Sequence, residues 1–125
     1  MKRKILAFDD EDGTAGVVAN IFSESSIFEV VVPESHFKGI NLLKSSLFSI
    51  IVTDFEMPVM KGEEFLKEVR NENCPNREIP ILFVTKDIAE AKKLSQSFQK
   101  VYFADKPIII SELMMVLKKV TGEGF

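Results

Sequence analysis

The sequence predicts an α/β domain, a doubly wound (βα)5 unit with five parallel strands and helices on both faces. Three observations predict it. Short apolar, β-branched runs alternate with segments of helical periodicity five times over. Such alternation at short spacing implies right-handed crossovers and hence a parallel sheet. Finally, the runs end in polar residues capable of chemistry, Asp9, Asp10, Asp54, Thr85 and Lys106, which such a topology gathers beyond one edge of the sheet.

Each element follows from its own residues. Lys4-Ile5-Leu6-Ala7-Phe8 reads as a buried strand closed by the acidic loop Asp9-Asp10-Glu11-Asp12-Gly13. Val17, Val18, Ile21 and Phe22 recur at helical spacing, and the helix is expected to fray in Ser23-Glu24-Ser25-Ser26. Phe28-Glu29-Val30-Val31-Val32 is a second strand stopped by Pro33, which lacks the amide to continue a ladder. Phe37, Ile40, Leu42, Leu43 and Leu47 mark a short helix. Phe48-Ser49-Ile50-Ile51-Val52-Thr53 is the clearest buried strand, with Asp54 at its exit. The third helix, Glu63 to Arg70, carries Phe65, Leu66 and Val69 on one face. Ile79 to Val84 resumes strand character up to Thr85. Ile88, Ala91, Leu94 and Phe98 mark a fourth helix, Val101-Tyr102-Phe103-Ala104 a fifth strand, and Leu113, Val116, Leu117 and Val120 a last helix with Ser111 as its expected N-cap.

Bulk properties narrow the classes. With 125 residues, 46% of them hydrophobic, the chain buries one core and reads as a single domain over 1–125 with no output domain attached. A net charge of -3 and a pI near 5.2 lack the basic footprint of direct nucleic-acid binding. No apolar stretch approaches membrane-spanning length, and the basic Met1-Lys2-Arg3-Lys4 is followed by too short an apolar run for a signal peptide. One cysteine, Cys74, permits no internal disulfide, so a reducing cytoplasm is the expected compartment. Cys74 itself, in a polar stretch without a neighbouring His or second Cys, reads as a bystander. His36 reads as a solvated residue at a helix start, and the mixed charges from Lys61 to Glu68 as a solvated helix face.

The strand ends carry the chemistry. Clustered carboxylates repel one another unless a hard cation with oxygen ligands is present. Three carboxylates, a hydroxyl and an ammonium therefore suit a divalent cation and a phosphoryl group. Asp10-Glu11-Asp12-Gly13-Thr14 also matches the DxDGT signature of haloacid-dehalogenase-type phosphatases. That reading leaves Asp54-x-x-Met57-Pro58 unexplained and lacks its further acidic motif near the C-terminus.

Placed in this order, the residues resemble the receiver domain of two-component response regulators over essentially the whole chain. The matching pieces are Asp9-Asp10-Glu11, Asp54-x-x-Met57-Pro58-x-x-x-Gly62, Thr85 and Lys106-Pro107, each after a strand. The resemblance implies a flavodoxin-like sheet of order 2-1-3-4-5, which makes strands one and three neighbours. It implies Asp54 as the phosphoryl acceptor and Mg²⁺ as cofactor, held by Asp9, Asp10, Asp54 and the backbone carbonyl of Glu56. Lys106 and Thr85 would each answer a phosphoryl oxygen. It further implies a cis Lys106-Pro107 bond, a loop glycine of positive φ at Gly62, and a switch in which Thr85 turns and Phe103 follows it. Tyr102 would face the other side of the sheet.

The implied protein is a signalling switch that catalyses only its own phosphorylation and dephosphorylation. Its implied partners are a sensor histidine kinase or phosphotransfer protein and a downstream effector, and its eleven phenylalanines leave a homodimer open. Some positions depart from the family. Lys86 stands where a small residue is usual, Gln99-Lys100 replaces Gly-Ala, and acidic Glu56 and Asp87 occupy positions that tune acyl-phosphate lifetime. These departures keep a second reading in view, a receiver-like interaction module with weak or no phosphorylation. In either reading Asp12-Gly13-Thr14 is expected to cap the first helix.

Overall fold

Five βα units follow one another, with strands β1 (Arg3–Ala7), β2 (Phe28–Val31), β3 (Ile50–Asp54), β4 (Ile81–Thr85) and β5 (Val101–Asp105). The helices are α1 (Thr14–Ile21), α2 (His36–Ser45), α3 (Gly62–Val69), α4 (Ile88–Ser95) and α5 (Ile110–Thr121). The structure is a computed structural model and describes residues 2–9 and 13–122. All strands pair in parallel in the order β2-β1-β3-β4-β5, as expected. No helix among the described residues is long and apolar enough to cross a membrane.

The central strands β3 and β4 are buried at every position, which is why both read as unbroken apolar runs rather than alternating ones. Successive side chains divide between two cores. Ile5, Ala7, Ile50, Val52, Leu82 and Val84 pack under α1 and α5, with Val18, Phe22, Leu113 and Leu117. Leu6, Phe8, Ile51, Ile81 and Phe83 pack under α2, α3 and α4, with Leu43, Phe65, Leu66 and Ala91. Tyr102 joins the first core and Phe103 the second, as the two-residue alternation requires. Each fully buried Leu, Ile or Phe contributes about 1.5–3 kcal/mol, so these two layers dominate stability.

Phenylalanine organises the second core. The Phe83 ring meets Phe55 edge-on at 5.0 Å and Phe65 at 6.3 Å, and stacks on Phe103 at 6.2 Å. Among the described phenylalanines only Phe37 is largely exposed.

Several local expectations change. Phe48 leaves the strand because its amide donates to Asn76 Oδ1 (2.8 Å), so β3 begins at Ile50. Asn76, fully buried, also donates to the carbonyls of Leu43 and Ser46, both at 2.7 Å. It latches the end of α2 to the start of β3. Cys74 from the same polar stretch is buried, with its thiol facing the Leu43 carbonyl at 3.6 Å. The fourth helix stops at Ser95, leaving Phe98 in the following turn.

The cap at Ser111 is not formed: α5 starts at Ile110, with Ile109 at the cap position and no side-chain cap bond. Gly13, at φ 74°, holds the N-cap of α1 without a side-chain bond, and Asp12 lies outside the described residues. By contrast, Ser35 caps α2 by accepting from the Lys38 amide, and Asp87 caps α4 by accepting from the Glu90 amide.

His36 is not solvated. Both ring nitrogens are buried without a hydrogen-bond partner, and the imidazole lies 5.3 Å from the Phe8 ring and 6.1 Å from that of Phe65. Burial holds its pKa below the usual value. The reason is the fold: α2 begins against Phe8 and Phe65, so its first residue lands on the second core.

Candidate functional site

The register of the parallel strands brings their C-terminal ends level. Ala7 pairs with Val52, and the Phe8 amide continues that ladder to the Val52 carbonyl at 2.9 Å. Asp9, two residues beyond Ala7, is exposed at this same edge of the sheet. Asp54 pairs with Val84 and Thr85 with Asp105, and the Lys106 amide donates to the Thr85 carbonyl at 2.9 Å. Asp10 lies outside the described residues.

Asp54 closes β3 and is 1% exposed. Lys106 Nζ reaches its Oδ1 at 2.8 Å, from a side chain only 8% exposed. A buried ion pair stands only when hydrogen bonds meet the desolvation cost of its members. Thr14 Oγ1 contributes one by donating to the same Oδ1 at 2.9 Å. The bond joins the first residue of α1 to the last residue of β3. Lys106-Pro107 is cis, as expected.

Thr85 is fully buried at the end of β4, and its hydroxyl is already engaged. It donates to Glu56 Oε1 at 2.6 Å and accepts from the Asp87 amide at 3.2 Å. Glu56 is held in a small loop by its bridge to Lys61. Thr85 shares a sheet face with Phe83 by the alternation, and half-buried Phe103 stacks on Phe83.

Gly62 differs from the expectation. Its φ is not positive; instead a Cβ there would meet the Phe55 ring at 2.3 Å. Glycine is needed for the approach of that ring, which follows Asp54 directly. In the same core, Gly39 receives the ring of Phe8, which precedes Asp9, with a Cβ position 2.2 Å from its edge. Aromatic anchors set in glycine notches therefore fix the backbone beside both acids.

Sequence reading thus placed Asp54 and Lys106, which are in contact, and Asp9 and Thr85, which stand at the same edge. It missed Thr14, whose local signal is only that of a helix start. Lys86 is exposed and borders a cleft of about 570 Å³ with Val17, Lys106, Pro107 and Ile108.

Comparison with known proteins gives one answer at three levels. The family described as Response regulator receiver domain matches residues 5–118. Two-component response regulator ORR5 of Oryza sativa subsp. japonica is 36% identical over 84 residues, 66% of this chain and 61% of that protein. The matched region thus spans less than two thirds of that relative's length. Chemotaxis response regulator CheY4 of Vibrio cholerae superposes with a TM-score of 0.82 at 26% identity, covering 96% of this chain and 99% of that one. A receiver domain of sensor histidine kinase PA1611 from Pseudomonas aeruginosa, with a magnesium ion coordinated in its active site cleft, shares the fold. Its TM-score is 0.76 at 20% identity, covering 98% of this chain and the whole of that one.

Proposed function

The chain belongs to the response regulator receiver family of two-component systems, and on that premise we propose that Asp54 accepts a phosphoryl group from a phosphohistidine of a kinase or phosphotransfer protein. The observation that carries the reading is the buried carboxylate of Asp54 at the carboxyl edge of the sheet, gripped at 2.8 Å by the ammonium of Lys106. A carboxylate so placed can form an acyl phosphate, and an ammonium beside it can neutralise charge on the incoming group.

The donor set suits Mg²⁺. It consists of oxygens alone, from Asp9, Asp54, the main-chain carbonyl of Glu56 and the sequence neighbour Asp10, and a small hard cation prefers such ligands. When bound, the ion would offset the repulsion between carboxylates and draw charge from the phosphoryl oxygens. The chain's own residues do the rest. Lys106 binds one phosphoryl oxygen, Thr85 leaves Glu56 to donate to another, and the Phe103 ring repacks against Phe83 as Thr85 turns. The switch then alters the surface offered to an effector protein.

Incubation with Mg²⁺ and acetyl phosphate, followed by intact mass and peptide mapping, tests this. One added phosphoryl group on Asp54, abolished in Asp54→Asn, is the expected result. An unmodified wild-type protein overturns it.

Two observations favour a second reading, the interaction module. The Thr85 hydroxyl is held at 2.6 Å by Glu56, and Lys86 borders the approach to Asp54. A Mg²⁺ titration separates the two. A response lost in Asp10→Ala supports the phosphoryl switch, and indifference to the ion supports the module.

A further inference from the structure

We propose that Thr14 is a positioning residue for phosphoryl transfer, its hydroxyl holding Asp54 Oδ1 as the oxygen that becomes the acyl carbonyl. This rests on Asp54 being the acceptor.

The side-chain oxygen that caps a helix ordinarily comes from the N-cap residue, which in α1 is Gly13, while Thr14 holds the first helical position. Here α1 has no side-chain cap bond, and Gly13 in the left-handed region turns the chain so that Thr14 enters fully buried. Its hydroxyl is spent instead on a residue forty positions away, at 2.9 Å. The terminal torsion of an aspartate is broad and close to two-fold, so its two oxygens exchange readily unless something distinguishes them. Two donors from different elements meet on one oxygen, Thr14 from α1 and Lys106 from the segment after β5. Together they fix the plane of the carboxylate and label its oxygens.

The transfer step shows why the second donor matters. Oδ2 of Asp54 attacks the phosphorus of an acyl phosphate donor. The Oδ2–P bond forms, the bond from phosphorus to the donor's carboxylate oxygen breaks, and the donor leaves as a carboxylate with the bonding electron pair. No proton moves. Oδ1 becomes the carbonyl oxygen of the new acyl phosphate and still accepts a hydrogen bond. Lys106 is wanted on the phosphoryl oxygens at that moment, so its contact with Oδ1 weakens. Thr14, whose donor has no other task in the site, keeps the carboxyl plane in place throughout. A contact made before, during and after the step acts by orientation, which raises the rate without tightening donor binding.

The test compares wild type with Thr14→Val, which keeps the side-chain shape and removes the donor, and with Thr14→Ser, which restores the donor. Thr14→Ala provides the same loss without the valine's second methyl, should Val disturb the fold. Rates of acetyl phosphate uptake are measured by mass against donor concentration, and Mg²⁺ binding is followed separately by NMR shifts. The donor-less variants should lose about tenfold in the saturating rate, equivalent to about 1.4 kcal/mol of barrier, with the half-saturating donor concentration unchanged. Ser should recover most of the rate, and Mg²⁺ affinity should stay within about twofold in all variants. A donor-less variant as fast as wild type overturns the proposal, as does a Ser variant as slow as Val. An inert wild type overturns the acceptor reading itself, whereas a reactive wild type with unimpaired Val and Ala variants removes only the role of Thr14.

Discussion

Gly39→Ala should weaken the fold, and Gly16→Ala, the same chemical change in another helix, should strengthen it. Gly39 lies inside α2, where alanine is intrinsically better by about 1 kcal/mol. Against that gain stands a Cβ placed 2.2 Å from Cε1 and 2.7 Å from Cζ of Phe8, with Pro33 Cγ at 3.0 Å on the other side. These contacts fall an ångström or so short of ordinary van der Waals separation. The Phe8 ring has little freedom to yield, because it is 2% exposed and meets Phe65 edge-on at 5.3 Å and His36 at 5.3 Å. Overpacking a core costs about 1–3 kcal/mol, and a clash this deep belongs at the upper end, leaving a net loss of about 2 kcal/mol. Gly16, inside α1 and exposed, has nothing within 4 Å of the added methyl, so the helical gain of about 1 kcal/mol survives whole. For a domain of this length the two changes correspond to a fall of roughly 8 °C and a rise of roughly 4 °C in Tm. Urea and thermal unfolding followed by circular dichroism measure both. A Gly39→Ala protein as stable as wild type, or a Gly16→Ala protein equally damaged, would refute the notch.

Further outcomes follow from single contacts. Burial lowers the pKa of His36 in the folded protein, while the unfolded chain binds a proton near pH 6.5. Stability is therefore full above that value and lost as pH falls through it, down to the depressed pKa of the folded imidazole. In His36→Phe the loss as pH falls through about 6.5 should be smaller than in wild type, and identical pH slopes in urea unfolding would discard the point. Asn76→Ala removes three hydrogen bonds at once, two buried and one partly buried, and should destabilise by about 3 kcal/mol, at about 1 kcal/mol each. A change below about 1 kcal/mol in the same assay would mean that the latch is replaceable.

Much of the fold was legible because parallel strands buried on both faces leave continuous runs such as Ile50-Ile51-Val52, and because helices between them repeat at their own period. The order of the strands was not in that pattern; it came from the family likeness carried by Asp54, Thr85 and Lys106. Asp54 and Lys106 could be paired in advance since topology, not local sequence, brings strand ends together. Thr14 could not, because its bond to Asp54 depends on how Gly13 aims the first helix. Nor could Asn76 or Gly62, whose tasks are set by a carbonyl of α2 and a ring of β3's successor residue, both distant or invisible to periodicity. The start of α5 was read to within one residue, but its cap was misplaced for a related reason. Ile109 and Ile110 enter that helix without a side-chain cap, so the familiar marker pointed to the wrong residue.

Asn76 stitches the amino side of the sheet, and the Asp54–Lys106–Thr14 group occupies the carboxyl side; the two share no residue. Retuning is thereby uncoupled from assembly. A library varying exposed Lys86 and Val59, beyond the carboxyl ends of β4 and β3, can reshape that edge while every member inherits the same scaffold. Divergence within such a lineage can accumulate at one pole of the molecule without taxing the other.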